Sequence, residues 1–517
     1  MRIGFANIYS WRPHVHHLVY LARLAEQGGH ETAFLTCDSS VSDCYTRLLR
    51  GRSRLRECST CIAGGVRSFP VSNVTSISRI PSRLNIDALD RLALSSSCTL
   101  TRTESDAEWN DPPVVEMRQR LHDAVGAAYE SAIRWIDRER LDAVVCFNGR
   151  MDMTAAVLMA CEAAGIPYVT HERSGYGDGI YCVPNGNCLS THAIGPMFRE
   201  YRDKPLTGVQ AALAGKLLAQ RFLGRNTLDW RRYNTGAVSA TWPLAGSGPR
   251  VLVLPSSRNE FAGLEERRSE WTDNNEALDD FMEAFDIKAE QVVVRCHPGW
   301  AERVGKVDGS RSLEHTVSWC AARGIMCIPS SDNRSTYDLI EEADIIVVNG
   351  STAGIEAAAR GKKVYCLGPA IYGEAECVKM ITDRSVLNDQ VRSTFEEAPE
   401  IVRKALRYIY VNARRYPQFI DHVRADNTTQ YRYFDGADPD RLTRLLTTGS
   451  VGAEDPAFSE DDAAETEIVD AMMASEWSRL ASFEEVRQVR PSLKLERRKG
   501  MRWIDSVRGL MPRGDRG

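Results

Sequence analysis

The sequence predicts an α/β protein made of two doubly wound parallel-sheet domains that face a cleft, followed by a charged C-terminal tail. Three observations predict it. Short apolar runs of strand length alternate with amphipathic stretches and Gly or Pro stops along most of the 517 residues. The alternation lapses over 235–249 (TGAVSATWPLAGSGP) and then restarts, as a linker between two α/β units would make it. Charge segregates beyond 451: residues 451–486 carry eleven acids and one Arg, and residues 487–517 carry ten Lys/Arg and three acids. The expected units are therefore an N-terminal domain over 1–240, a C-terminal domain over 250–450, and a solvated, flexible tail over 451–517.

The elements follow in order. Residues 2–8 (RIGFANI) read as a buried strand that ends in the polar loop Tyr9–His14. Leu18, Leu21, Ala22 and Ala25 then recur at helical spacing, Gly28-Gly29 stop the helix, and 31–37 (ETAFLTC) is the second strand. Strand, helix, Gly and strand in so short a span make a βαβ unit, hence a parallel sheet. Residues 62–115, rich in Ser, Thr and Pro, carry no clear period. The unit recurs at 141–147 (LDAVVCF), a helix over 154–164, Gly165 and Pro167 as stops, and a strand from Tyr168. Gly175, Gly177, Gly179 and Gly186 mark 174–190 as an irregular loop. After the linker, strands are expected at 251–254, 292–296, 325–328, 344–348 and 364–367, with helices at 276–285, 313–323, 336–342 and 351–360.

Composition narrows the function. Hydrophobic residues at 43% and charged residues at 26% suit globular cores. A net charge of −5 is a poor basis for general nucleic-acid binding, which draws affinity from phosphate neutralisation. No apolar run reaches the roughly 18–20 residues that span a bilayer, and the first residues are too polar for a signal segment. A cytoplasmic protein with mostly reduced thiols among its 14 Cys is the expectation.

Ligands of open α/β sheets bind beyond the carboxyl ends of the strands. Three segments arrive there in the second half. Arg295-Cys296-His297-Pro298 ends one strand, and its His and Arg can donate to an anion, although a His before a turn Pro is also an ordinary loop. Asn349-Gly350-Ser351-Thr352-Ala353-Gly354-Ile355-Glu356 opens a helix with amides and hydroxyls suited to phosphate. Its Glu356 could accept from ribose hydroxyls, and a plain N-cap with a dipole-favoured acid reads the same residues equally well. Gly368-Pro369-Ala370-Ile371-Tyr372-Gly373 ends the next strand and could be simply a turn.

Taken together, the His-Pro strand end, the Ser-Thr-x-Gly-x-Glu-Ala helix start about fifty residues later and the strand ending in Gly and Tyr resemble the capsule polysaccharide biosynthesis glycosyltransferases, which include Kdo-transferase-like and CMP-sugar-using enzymes. The glycerophosphotransferases of teichoic acid synthesis are similar in this half. The resemblance covers roughly residues 250–380. It implies a GT-B arrangement of two Rossmann-like domains, with His297, Pro298, Ser351 and Thr352 at the donor phosphate and Glu356 at the nucleotide ribose; Arg295 is a donor-site candidate from its place at the same strand end. It implies a nucleotide-sugar donor, with a CMP-sugar slightly favoured, and a surface glycan or lipid-linked glycan as acceptor. In the first half, Phe147-Asn148-Gly149-Arg150 and His171-Glu172-Arg173 resemble acceptor-domain elements of related proteins, with Ser174 where Gly is expected. This implies acceptor binding by Asn148 and Arg150; a tight turn with a surface Arg is the other reading.

A glycosyl transfer by inversion needs a base for the acceptor hydroxyl. Glu172, His14 and His16 are the candidates, and Glu172 could instead pair with Arg173 or Arg150. No cofactor or metal is required for catalysis in this fold class, because basic side chains and helix dipoles can neutralise the leaving phosphate. Asp438-Pro439-Asp440, the only Asp-x-Asp, reads as a helix start. Cys37, Cys44, Cys58 and Cys61 could hold a structural zinc or iron–sulfur cluster, or could be ordinary thiols. Ten cations of the tail beside Trp503, Ile504, Val507, Leu510 and Met511 could make a peripheral contact with an anionic membrane face, or be a solvated tail. Three other functions share the architecture: a glycerol- or ribitol-phosphate transferase, a nucleotide-sugar epimerase, and a catalytically silent binding protein.

Overall fold

The computed structural model describes residues 1–229 and 236–510. Thr235, where the expected linker begins, and Met511, in the expected apolar stripe of the tail, lie outside the described residues.

The first sheet has six strands: β1 (Arg2–Asn7), β2 (Glu31–Thr36), β3 (Val74–Ser76), β4 (Ala143–Phe147), β5 (Tyr168–Ser174) and β6 (Gly177–Pro184). Their order is β3-β2-β1-β4-β5-β6, parallel except for β6, which runs antiparallel to β5. Alternation along β1 separates two cores. Ile3 and Phe5 pack with Leu18, Leu21 and Phe34 on one side, and Ala6 packs with Leu121, Val125 and Trp135 on the other. Gly4 lies where Trp135 of the helix Pro112–Glu139 comes closest; a Cβ there would sit 2.5 Å from its ring.

The second sheet contains β7 (Val251–Leu254), β8 (Val292–Arg295), β11 (Met326–Ile328), β12 (Ile345–Val348), β13 (Lys363–Leu367) and β14 (Lys379–Ile381), with a short hairpin, β9 (Arg303–Val304) and β10 (Val307–Asp308), inserted after β8. The order β11-β8-β7-β12-β13-β14 repeats that of the first sheet, and every pair is parallel. The near-continuous apolar runs VLVL and IIVV are what a sheet covered on both faces requires. The fold is thus two Rossmann-like doubly wound domains.

Three expectations change. The glycine-rich stretch 174–190 is largely strand β6 rather than loop. Its glycines admit another segment: Gly179 has φ +80°, and a Cβ there would lie 2.8 Å from Pro417, beside the bridge Ile180–Gln418.

The expected domain limits of 1–240 and 250–450 also shift. The chain leaves the first domain after β6, because Phe198, Leu213 and Leu218 share a core with Leu252 and Val348 of the second sheet. It returns late: Phe419, Val423, Tyr433, Leu442 and Leu445 complete the core around Phe5, Leu18 and Phe34. There, β15 (Val423–Ala425), β16 (Tyr431–Phe434) and β17 (Ser492–Leu493) form a small antiparallel sheet.

Finally, the described part of the tail is packed, not solvated. Val469, Met472 and Leu480 enter the second-domain core, and Glu465 is wholly buried in a two-bond pair with Arg407 (2.7 and 2.9 Å). Arg497 is buried to 2% exposure against the first domain, and Ile504 is buried too, while Trp503 and Val507 are exposed. Some tail charges are matched outside it, Glu465 by Arg407, Glu485 by Arg414 and Arg487 by Asp178, which a window of local composition cannot show. Among the described residues no helix is long and apolar enough to cross a membrane.

Candidate functional site

Parallel pairing brings the carboxyl ends of β7, β8, β11 and β12 to one edge, and the strand order reverses between β7 and β12. That is the place where an open α/β sheet forms a crevice. A cleft of about 820 Å³ lies there, between the domains. One wall carries Ser256 and Ser257, Arg295-Cys296-His297-Pro298 without the Cys, the loop 330–337 and Gly350–Ala353 with Glu356. Arg173 and Gly175 reach it from the first domain, and Arg221, Asn226 and Asp229 line it from the helix Gly208–Phe222 and the turn that follows.

All six residues singled out for donor binding line this cleft, but not in equal condition. His297 caps the short turn Pro298–Ala301: its Nδ1 accepts from the Gly299 amide at 3.1 Å, which leaves the proton of the neutral ring on Nε2. Burial lowers the His297 pKa, with Glu260 opposing the shift. Ser351 is half-buried and Thr352 exposed at the cleft surface, after Gly350 at φ +81°. The helix they open, Ala353–Ala358, is shorter than the sequence suggests. Tyr372, from the third segment, donates to the Ser351 carbonyl (2.9 Å) and so braces the turn from beneath.

Two of the six are committed to the protein itself. Arg295 is buried and donates to the carbonyls of Pro329 (2.6 Å) and Asp332 (2.7 Å), tying down the adjoining loop. Glu356 accepts from Arg221 at 2.9 Å, and Arg221 also holds Asp229 and stacks on Tyr176. Burial raises the Glu356 pKa, with Arg221 opposing. Arg221 and Tyr337, which meets Glu356, carry no motif; only the fold sets the helix Gly208–Phe222, packed in the second-domain core, beside Glu356. Arg173 was legible as part of His171-Glu172-Arg173 but not as a wall of the donor cleft.

The first-domain candidates form a second group behind that wall. Asn148, at φ +64°, follows β4 and donates to Glu172 (3.1 Å) and to Cys188 (3.0 Å). The Arg173 amide donates to the other Glu172 oxygen at 3.0 Å, and His14 Nε2 lies 3.3 Å from that same oxygen. Glu172 keeps 24% of its side chain open, while burial raises its pKa against the pull of Asn148 and Arg173. His14 is buried and stacked on Phe147 at 3.9 Å between ring centres, and burial lowers its pKa strongly. His16 stands apart, edge-on to Phe69 at 5.3 Å.

Arg150 donates to Ser95 (2.8 Å) and Thr99 (3.2 Å) and lines a cavity of about 450 Å³. This cavity shares Arg91 and the loop Ala262–Leu264 with another of about 540 Å³, which in turn shares Ser256 and Phe261 with the donor-side cleft. The loop from Ser256 to Leu264 therefore borders all three.

Cys37, Cys44, Cys58 and Cys61 surround a pinched apolar space of about 30 Å³ with Ile8, Tyr9 and Met153. Among the described residues no three His, Cys, Asp or Glu side chains form a group able to hold a metal ion. Burial pushes the Cys37 thiol up to about 11. Asp438 accepts from the Asp440 amide at 3.0 Å and so starts the helix Asp440–Thr448.

No protein-family model matches the chain, and no curated protein matches it. Among solved structures, it aligns over 67% of its length with 89% of the Thermosulfurimonas dismutans KpsC beta Kdo 2,7 transferase, at 12% identity and a TM-score of 0.34. It aligns over 87% of its length with all of a Methanocaldococcus jannaschii UDP-GlcNAc 2-epimerase solved with UDP-GlcNAc and UDP, at 12% identity and a TM-score of 0.28. It aligns over 87% of its length with all of Acinetobacter baumannii MurG, at 12% identity and a TM-score of 0.26. Scores of this size do not rank one of these activities over another.

Proposed function

We propose that the protein is a glycosyltransferase that moves a sugar from a nucleotide-activated donor to a surface or lipid-linked glycan. The observation that carries the reading is the interdomain cleft, into which His297, Ser351, Thr352 and Glu356 are brought from separate strand ends. The backbone and hydroxyls of Gly350–Thr352 and the Nε2–H of His297 offer donors to an anionic leaving group. Glu356, steadied by Arg221, faces the same space from one helical turn further on. A CMP-sugar is the first donor to test.

Glu172 is the base this reading favours. Its raised pKa makes it a better proton acceptor than an ordinary carboxylate, and Asn148 and His14 fix its two oxygens. The proton would pass from the acceptor hydroxyl to Glu172 as the hydroxyl oxygen bonds to the anomeric carbon and the phosphate leaves. Arg150 and the two smaller cavities lie on the side from which a glycan would enter.

The test is a thermal-shift panel of CMP-, UDP- and GDP-sugars, followed by transfer assays with the nucleotide that binds. A ligand at about 100 times its Kd stabilises the native state by about 2.7 kcal/mol. His297→Ala should keep the fold and lose the shift. An undiminished shift and undiminished transfer in that variant would remove His297 from the donor site and the reading with it.

A further inference from the structure

Directly behind the donor-side strand end, three thiols meet. Cys296 follows β8 and immediately precedes His297. Its Sγ lies 3.4 Å from the Sγ of Cys327 in β11. Cys320, on the helix Ser310–Arg323, also bonds to Cys327. Cys296 and Cys320 are buried, whereas Cys327 is half-buried on the outermost strand of the sheet, where solvent can reach it. Cys327, the most open of the three, is the sulfur that a dissolved oxidant meets first, and its thiolate is the form that reacts.

The backbone around this trio is tied to the donor cleft. The Cys296 amide donates to the Ile328 carbonyl at 2.9 Å, and Arg295 holds the carbonyls of Pro329 and Asp332. A disulfide needs an S–S distance of about 2.05 Å, so closing the present 3.4 Å gap draws Cys296 and Cys327 together. His297 is the next residue in the chain and takes up that movement.

We propose that Cys327 and Cys296 are a reversible oxidation site whose disulfide switches off donor binding at His297; the second half of this statement rests on the glycosyl-donor reading above. The oxidant is a hydroperoxide. The Cys327 thiolate attacks the O–O bond, leaving a sulfenic acid on Cys327 and releasing an alcohol, or water from hydrogen peroxide. The Cys296 sulfur then attacks the sulfenic sulfur, the S–S bond forms, and hydroxide leaves and takes the Cys296 thiol proton as water. Two thiols are oxidised and one peroxide is reduced. A small dithiol reverses the reaction by exchange.

Trypsin places the three cysteines on separate peptides, 296–303, 312–323 and 324–334. The full chain is treated with hydrogen peroxide, digested without reductant and analysed by mass spectrometry, in parallel with nucleotide-sugar binding before and after treatment. The expected product is 296–303 linked to 324–334, two hydrogens lighter than the sum of the pair and cleaved by dithiothreitol. Binding should weaken at least about tenfold, since a displacement of about 1 Å at a positioned group costs on the order of a hundredfold. Cys320→Ser should keep the bridge, and Cys327→Ser should keep binding under peroxide. A bridge to 312–323 instead, or no bridge, overturns the site. A bridge with unchanged binding overturns the switch. A reduced protein that binds no nucleotide sugar overturns the donor reading while the disulfide stands.

Discussion

Removing the charge of Glu356 tests how the cleft is held. Arg221 is 10% exposed, Glu356 12% and Asp229 18%, and the contacts are 2.9 Å and 3.2 Å. At an effective dielectric constant of about 20, a unit pair at 4 Å attracts by about 4 kcal/mol, from which the cost of desolvation is subtracted. Stripping one partner from a buried pair usually costs about 3–5 kcal/mol. Glu356→Gln should cost less, about 2 kcal/mol, because Asp229 still faces Arg221. Arg221→Met should cost about 3–5 kcal/mol, because it leaves two buried carboxylates facing each other. The double variant removes the stranded charge of each single one, so its cost should fall about 2 kcal/mol short of the sum. Urea denaturation of the four proteins, read from midpoints and slopes, measures this cycle. Costs that add to within about 0.5 kcal/mol would show that the pair is not coupled, and the argument from burial would fail.

Two further outcomes follow from other parts of the molecule. Burial depresses the pKa of His14, His17 and His171, and neither ring nitrogen of His171 has a hydrogen-bond partner among the described residues. The unfolded chain therefore binds more protons than the native one, so stability is complete above about pH 6.5 and falls as pH drops toward the lowered values. Urea midpoints between pH 7.5 and 5 should show this fall, and His171→Leu should flatten it; an equal slope in the variant would refute the assignment. Arg497 bonds to Ser68 and to Asp505 (2.9 Å) and lies 4.6 Å from the Phe69 ring. Arg497→Ala should speed tryptic cutting at Arg487 and Arg490 severalfold while leaving nucleotide binding intact, and unchanged proteolysis would show that other contacts hold the segment.

Much of the fold was legible because strand period and helix stops are local. RIGFAN, AVVCF, VLVL and IIVV announced the strands that carry both sheets, and Gly28, Gly165 and Gly361 marked where helices or their last turns end. What was missed depends on contacts distant in sequence. Strand β6 looked like a loop because Gly179 answers to residues 417–420 and Gly177 to Leu228. The tail looked solvated because Glu465 is matched by Arg407, 58 residues away. At the cleft, His297, Ser351, Thr352 and Glu356 were legible since they follow the ends of β8 and β12. The engagement of Arg295 with two carbonyls, and the approach of Arg221 to Glu356 from a helix some 135 residues earlier, were not, because no spacing encodes them.

The late return of the chain to the first domain has a consequence for biogenesis. Tyr433 and Leu442 reach the ribosome exit tunnel hundreds of residues after Phe5 and Phe34, whose core they complete, as Arg497 does after Phe69. The earliest-made β-layer must wait, one flank bare, while the later-made half matures. Contiguous fragments ending just past β6, near residue 190, should accordingly be sticky and insoluble.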